Sequence, residues 1–100
     1  PEPLEVEAEV GWLAEGASRR IEIACERALE DLKEMRLEPK ERREVERLLR
    51  DPVLAERLVR LSRGESVGLE GLEEFVKETP EGVVPSRIGR LALELLAQYL

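Results

Sequence analysis

The fold of this chain is decided by residues 18–37, which read SRRIEIACERALEDLKEMRL. Apolar side chains recur there at steps of three and four residues, which is the spacing of one face of an α-helix. This apolar stripe consists of Ile21, Ala24, Cys25, Ala28, Leu32 and Met35. Ser18 belongs to the residue types favoured at a helix N-cap. We therefore predict a long amphipathic helix from about Ser18 to Leu37, with this stripe facing the core.

Two further helix starts follow, and each is marked by a proline. Glu38-Pro39 and Asp51-Pro52 place proline at the first helical position, where its missing N–H has no partner to lose. The two predicted helices end near Arg50 and Arg63. We expect their apolar faces to consist of Val45, Leu48 and Leu49 in the first helix, and of Leu54, Leu58 and Leu61 in the second.

The second half of the chain predicts two more helices. A short one covers about Gly68 to Lys77 and uses Leu69, Leu72, Phe75 and Val76, until Thr79-Pro80-Glu81-Gly82 breaks it. The last helix runs from about Pro85 to Leu100. Its polar residues form one narrow stripe, and they are Arg87, Arg90, Glu94 and Gln98. A helix this apolar is typical of the buried centre of a bundle or of half an oligomer interface.

The N-terminal residues 4–10 read LEVEAEV, in which apolar residues alternate strictly with Glu. This period predicts a half-buried strand, although Glu and Ala are better helix formers, and a frayed helix or disordered arm is the alternative. A strand needs a second strand to pair its backbone. Val83-Val84 is the only internal candidate, and a strand from another chain is the other option.

Together these patterns predict an all-α or nearly all-α fold. We expect one domain over residues 1–100: a short N-terminal strand or extended arm at 1–16, then a compact bundle of four to five helices at 17–100. Trp12 and Phe75 are expected to cap the core. The helix breaks are short, which favours neighbouring helices packed antiparallel or at steep angles.

The composition indicates the kind of organism and the cellular location to expect. Charged residues make up 39% of the chain, with no His and one Cys, and the formal net charge is −7. Many Glu and Arg with few thermolabile side chains is typical of a thermophile protein. A single Cys permits no internal disulfide, and no apolar run reaches about 18 residues. We therefore expect a cytoplasmic protein with no membrane partner.

Catalytic chemistry has little support in these residues. Neither Cys25 nor any hydroxyl has a His to act as its base, and Cys25 lies on the apolar stripe, where Cys behaves as a small hydrophobe. Metal binding could use only carboxylates, and the many Glu are better interpreted as solvated helix faces. No glycine-rich phosphate loop is present. We therefore expect no enzyme activity, cofactor or metal, and an enzyme that relies only on carboxylates is a minor alternative.

Nucleic-acid binding is the alternative function with more support in the sequence than catalysis. A basic helix around residues 36–50 supplies Arg42, Arg43 and Arg47, and the helix starting at Pro85 supplies Arg87 and Arg90. Phosphate contacts need clustered basic groups, whereas Glu residues interleave with these arginines and the chain is acidic overall. A solvated face of ion pairs is therefore the favoured interpretation of residues 36–50.

The leading functional hypothesis is a non-catalytic protein–protein interaction protein, or a regulatory or structural subunit, that forms a homo-oligomer. It depends on two association signals, the alternating N-terminal segment and the apolar last helix. The residues expected to make the contacts are Leu4, Val6, Val10, Trp12 and Tyr99. The partner is either another protein or a further copy of the chain.

Overall fold

The computed structural model describes residues 16–100, so the predicted strand at Leu4–Val10 and Trp12 lie outside the described residues. The described part is helix-rich with one small hairpin, which confirms the mostly helical prediction in coarse form. Its elements are α1 (Arg19–Lys33), α2 (Pro39–Leu49), α3 (Pro52–Ser62), a 3-10 turn (Glu73–Phe75), β1 (Val76–Thr79), β2 (Gly82–Pro85) and α4 (Arg87–Ala97).

Side-chain caps fix where three of the four helices in residues 16–100 begin. The Ser18 hydroxyl accepts the Ile21 N–H at 3.2 Å, and the Asp51 carboxylate accepts the Leu54 N–H at 3.3 Å. The Ser86 hydroxyl accepts the Gly89 N–H at 3.1 Å. Each cap of this kind stabilises a helix by about 1 kcal/mol. The first two caps were predicted, and the third shows that α4 begins at Arg87 rather than at Pro85.

The end of α1 depends on a contact with the next helix. The Arg42 guanidinium donates to the carbonyl oxygen of Leu32 at 2.6 Å and also to that of Met35. These carbonyls lie at the end of α1, where the Leu32 oxygen also accepts the N–H of Met35 at 3.1 Å. The helix stops at Lys33, four residues before the predicted end at Leu37.

The core lies between all four helices and includes the 3-10 turn. α4 packs against α1, α2, α3 and the turn, and its buried residues are Gly89, Ala92, Leu95 and Leu96. α4 therefore contacts each of the other described helices. In α3 the buried residues are Ala55, Leu58 and Val59, so its inner face is rotated from the predicted one, and Leu54 and Leu61 are only half-buried.

The predicted helix over residues 68–77 is wrong. The chain makes a 3-10 turn at Glu73–Phe75 and continues as β1. Gly71 has a φ of +84°, a left-handed conformation that interrupts a helix, and the N–H of Phe75 bonds to the carbonyl of Leu72 at 2.8 Å. Leu72 and Phe75 are three residues apart, which suits one 3-10 turn as well as an α-helix. Phe75 is fully buried inside the core instead of capping it.

The hairpin occupies the position of the predicted helix break. β1 and β2 are antiparallel, with Val76 opposite Pro85 and Thr79 opposite Gly82. Val83 and Val84, the internal strand candidate for Leu4–Val10, therefore pair with β1. The Thr79 hydroxyl donates to the carbonyl of Gly82 at 2.7 Å and closes the turn.

Gly89 allows α4 to approach the 3-10 turn closely. A Cβ at this position would overlap the carbonyl oxygen of Phe75 and lie 3.0 Å from its carbonyl carbon. Both neighbouring groups are backbone, so neither can rotate away as a flexible side chain would. The packing of α4 on the turn therefore requires glycine at position 89.

We expect Gly89→Ala to lower the free energy of unfolding by about 1–3 kcal/mol, because overpacking outweighs the better helix propensity of Ala. In a domain of this size the fall in Tm should be at least about 4 °C, measured by circular dichroism. Gly68→Ala is the matched control, since no atom lies within 4 Å of its added Cβ. Equal Tm values for the two variants would contradict the close approach.

Candidate interaction surfaces

An apolar recess on the described surface is the α1–α2 groove, formed by two adjoining clefts of about 460 and 500 Å³. The clefts share Glu26, Leu29 and Arg50. The apolar residues that line them are Cys25, Leu29, Leu32, Leu49 and Pro52. Leu29 lines both clefts and is half-buried, so its side chain provides exposed apolar surface at the centre of the groove.

Charged residues line both sides of the groove at four-residue intervals. The α1 side carries Glu22, Glu26 and Glu30, and the α2 side carries Arg42, Glu46 and Arg50. Residues four apart on a helix lie one above the other, which makes each side a continuous charged rim. The groove therefore has an apolar floor between two polar rims.

Ion pairs within each helix balance most of the rim charge. Arg50 contacts Glu46 at 3.2 Å, Lys33 contacts Glu30 at 3.2 Å, and Arg19 contacts Glu22 at 3.4 Å. These pairs are exposed, so each contributes at most about 1 kcal/mol to stability. Their main effect is electrostatic, because they leave the groove without a net positive field to attract phosphate.

Cys25 lies in the floor of this groove and is almost fully buried. Burial, with a smaller contribution from the nearby carboxylates of Asp51 and Glu22, raises the pKa of its thiol to about 11. The thiol therefore stays protonated at neutral pH, whereas the nucleophilic form of cysteine is the thiolate. This environment agrees with the structural role predicted for Cys25.

Of the five arginines predicted for nucleic-acid binding, three contact other groups of the protein. Arg42 holds the end of α1, as described above. Arg47 lies 5.1 Å from the centre of the Phe75 ring and contacts Glu44 at 3.3 Å, and Arg87 forms an ion pair with the mostly covered Glu41. Arg43 and Arg90 are exposed, with no ion pair among residues 16–100. Three of the five are therefore held by internal partners.

Tyr99, the one predicted contact residue within the described part, is half-buried against α1. Its hydroxyl donates to the Asp31 carboxylate, and the Arg27 guanidinium lies 6.0 Å from the centre of its ring. The hydrogen bond to Asp31 is the main cause of the raised pKa of Tyr99. Arg20 also donates to the carbonyl of Leu100. Tyr99 therefore holds the last turn of the chain against α1. The other predicted contact residues, Leu4, Val6, Val10 and Trp12, lie outside the described residues.

A carboxyl pair at Glu44 and Glu74 was not predicted from the sequence. Their side chains share a hydrogen bond, which raises the pKa of Glu74 and lowers that of Glu44. The two groups therefore titrate as a pair, in which Glu74 holds the shared proton more tightly than Glu44. No sequence signal marks the pair, because Glu44 lies on α2 and Glu74 on the 3-10 turn.

The described part of the chain contains neither a metal site nor a membrane-spanning helix. Within residues 16–100, no three Cys, Asp or Glu side chains are close enough together to hold a metal ion. None of the helices described there has the length and apolar character needed to cross a membrane. Comparison of the chain with protein-family models, curated proteins and solved structures finds no match. The described part of the chain therefore defines only a class, a small helix-rich protein with a grooved surface.

We expect Glu74→Gln to change how stability depends on pH. The raised pKa of Glu74 contributes stability below the ordinary value of 4.5, and this is lost as the pH rises through the raised value. The lowered pKa of Glu44 acts in the opposite sense, since its contribution is present above 4.5 and is lost as the pH falls. The amide introduced at position 74 donates a hydrogen bond to the Glu44 carboxylate at every pH, whereas the Glu74 carboxyl group donates one only when it is protonated.

The Tm of Glu74→Gln relative to the natural chain should therefore increase as the pH rises from about 4.5 to 7. Thermal unfolding at a series of pH values measures this difference. Glu81→Gln is the control, because this substitution removes the same charge at an exposed position in the hairpin turn. A Tm difference that is the same for both variants at every pH would show that the shared proton has no effect.

Proposed function

We propose that the protein is a non-catalytic interaction subunit that assembles with further copies of itself through the α1–α2 groove. The observation that carries this proposal is the apolar floor of the groove between two charged rims. Protein interfaces share this plan, with an apolar centre that becomes fully covered and a polar rim that stays in contact with water. The proposed role is therefore structural or regulatory assembly.

The floor offers an anchoring point for a partner. Leu29 is half-exposed although it packs against the core, and it lines both clefts. Covering such a side chain removes apolar surface from water at about 25 cal/mol per Å². Grooves of this kind are used by proteins to bind the apolar face of a helix from a partner.

The two rims favour a second copy as the partner. The α1 rim carries Glu22, Glu26 and Glu30 against Arg19 and Lys33, which leaves an excess of negative charge, whereas the α2 rim carries Arg42 and Arg50 against Glu46, which leaves an excess of positive charge. A two-fold axis along the groove would place the α1 rim of one copy opposite the α2 rim of the other. Opposite charges would then meet twice, which is the self-complementarity that a two-fold interface needs.

The nucleic-acid alternative has less support in the structure. Arg42, Arg47 and Arg87 already contact carbonyl oxygens, an aromatic ring or carboxylates. To bind phosphate, Arg42 would have to leave the carbonyl oxygens at the end of α1, and Arg47 would have to leave the Phe75 ring. We therefore propose no second function.

We expect light scattering on a sizing column to show a dimer or larger species that persists on dilution. Leu29→Glu should weaken assembly by at least about tenfold in Kd, because a carboxylate would be covered at the centre of the interface without a partner. Circular dichroism would establish that the variant is folded.

Ile23→Glu is the matched control for this variant. Ile23 is also a half-exposed apolar residue of α1, but it does not line the groove. Ile23→Glu should therefore leave the mass measured by light scattering unchanged. A natural chain that stays monomeric at the highest soluble concentration would refute the proposal, and an equal effect of both substitutions would place the interface elsewhere.

A further inference from the structure

The outer edge of the hairpin is a second surface, separate from the α1–α2 groove. β2 packs against α3 and α4, whereas β1 contacts mainly β2 and the 3-10 turn. Both central residues of β1, Lys77 and Glu78, are exposed. Among residues 16–100 the sheet has two strands, so β1 is one of its edges.

The register shows which backbone groups of β1 face outward. The N–H of Ser86 donates to the carbonyl of Phe75 at 2.9 Å, which makes these residues a hydrogen-bonded pair at the base of the hairpin. Such pairs alternate along antiparallel strands, so Lys77 pairs with Val84 in the same way. The N–H and C=O groups of Val76 and Glu78 therefore project away from β2.

This alternation also explains the proline in β2. Pro85 lies opposite Val76, in a pair that forms no hydrogen bonds across the hairpin. Its missing N–H would have pointed away from β1, so the ladder loses nothing. The position of Pro85 independently supports the assignment of Val76 and Glu78 as outward-facing.

The surroundings of this edge are strongly acidic. Exposed carboxylates lie on β1 and at both of its ends, and they are Glu73, Glu74, Glu78 and Glu81. Lys77 is the one basic residue between positions 64 and 84. An incoming strand with basic side chains would be attracted to this edge, and an acidic one would be repelled.

Two segments of this protein that could pair with β1, namely a second copy of β1 and residues 4–10, fit this edge poorly. Two copies of β1 related by a two-fold axis would place Lys77 opposite Lys77 or Glu78 opposite Glu78, and like charges directly opposite are destabilising. Residues 4–10, with the alternating pattern predicted for a strand, carry Glu5, Glu7 and Glu9 and no base. A strand from a different, basic protein avoids both conflicts.

We propose that the outer edge of β1 binds a basic extended peptide of another protein as a third strand. The outward N–H and C=O groups of Val76 and Glu78 supply the main-chain hydrogen bonds of strand addition. The carboxylates around them supply the preference for Lys or Arg. A two-stranded hairpin gains stability from a third strand, which favours this mode of binding.

The test uses the whole protein and a labelled synthetic peptide that alternates Lys and Val, with binding followed by fluorescence anisotropy. We expect Glu78→Lys to weaken binding by about tenfold, since one attraction is replaced by a repulsion. Glu70→Lys makes the same charge change at an exposed position outside β1, and it should have a much smaller effect. A peptide that alternates Glu and Val should not bind.

Amide hydrogen exchange followed by NMR supplies the second measurement. Addition of the basic peptide should slow exchange at Val76 and Glu78, because only their N–H groups enter the new ladder. Equal weakening by Glu78→Lys and Glu70→Lys would show non-specific attraction and overturn the proposal. Slow exchange at both amides before any peptide is added would also overturn it, because another segment of the protein would then cover the edge.

Discussion

The carbonyl group of Phe75 is the point at which the separate parts of the structure meet. Its oxygen accepts the N–H of Ser86 at 2.9 Å, and the Cα of Gly89 lies so close that no side chain fits between them. The Phe75 ring is fully buried, and the Arg47 guanidinium of α2 lies over it. The 3-10 turn, the start of the hairpin, α2 and the first turn of α4 are therefore fixed by one residue.

This junction also determines how charge is distributed on the surface. Arg47 and Arg87 lie beside the junction and are engaged there with Glu44 and Glu41. Arg47 of α2 thus lies over the Phe75 ring and Arg87 of α4 pairs with Glu41 of α2, while the hairpin keeps its exposed carboxylates. The protein therefore presents two chemically different surfaces, a charge-balanced groove along α1 and α2 and an acidic strand edge at β1.

Local signals predicted the first three helices closely. Ser18 and Asp51 act as N-caps, and Pro39 and Pro52 are first helical residues, because capping involves atoms only two or three positions apart. The apolar stripe of α1 is buried from Ile21 to Leu32 for the same reason, since helical periodicity alone places those residues on one face. The groove beside it was not predictable, because its two rims come from different helices whose packing angle no local pattern encodes.

The sequence by itself determined where α1, α2 and α3 begin and which side of α1 faces inward, because these choices depend on neighbouring residues. Only the tertiary structure decided that the predicted helix over residues 68–77 is replaced by a 3-10 turn and the first strand of a hairpin. Leu72, Phe75 and Val76 satisfy a helical spacing, yet Phe75 reaches the core through a 3-10 turn once α4 packs against it. The roles of Arg42, Arg47 and Arg87 were decided in the same way, since a charged side chain on a helix surface acquires its partner only when another element packs beside it.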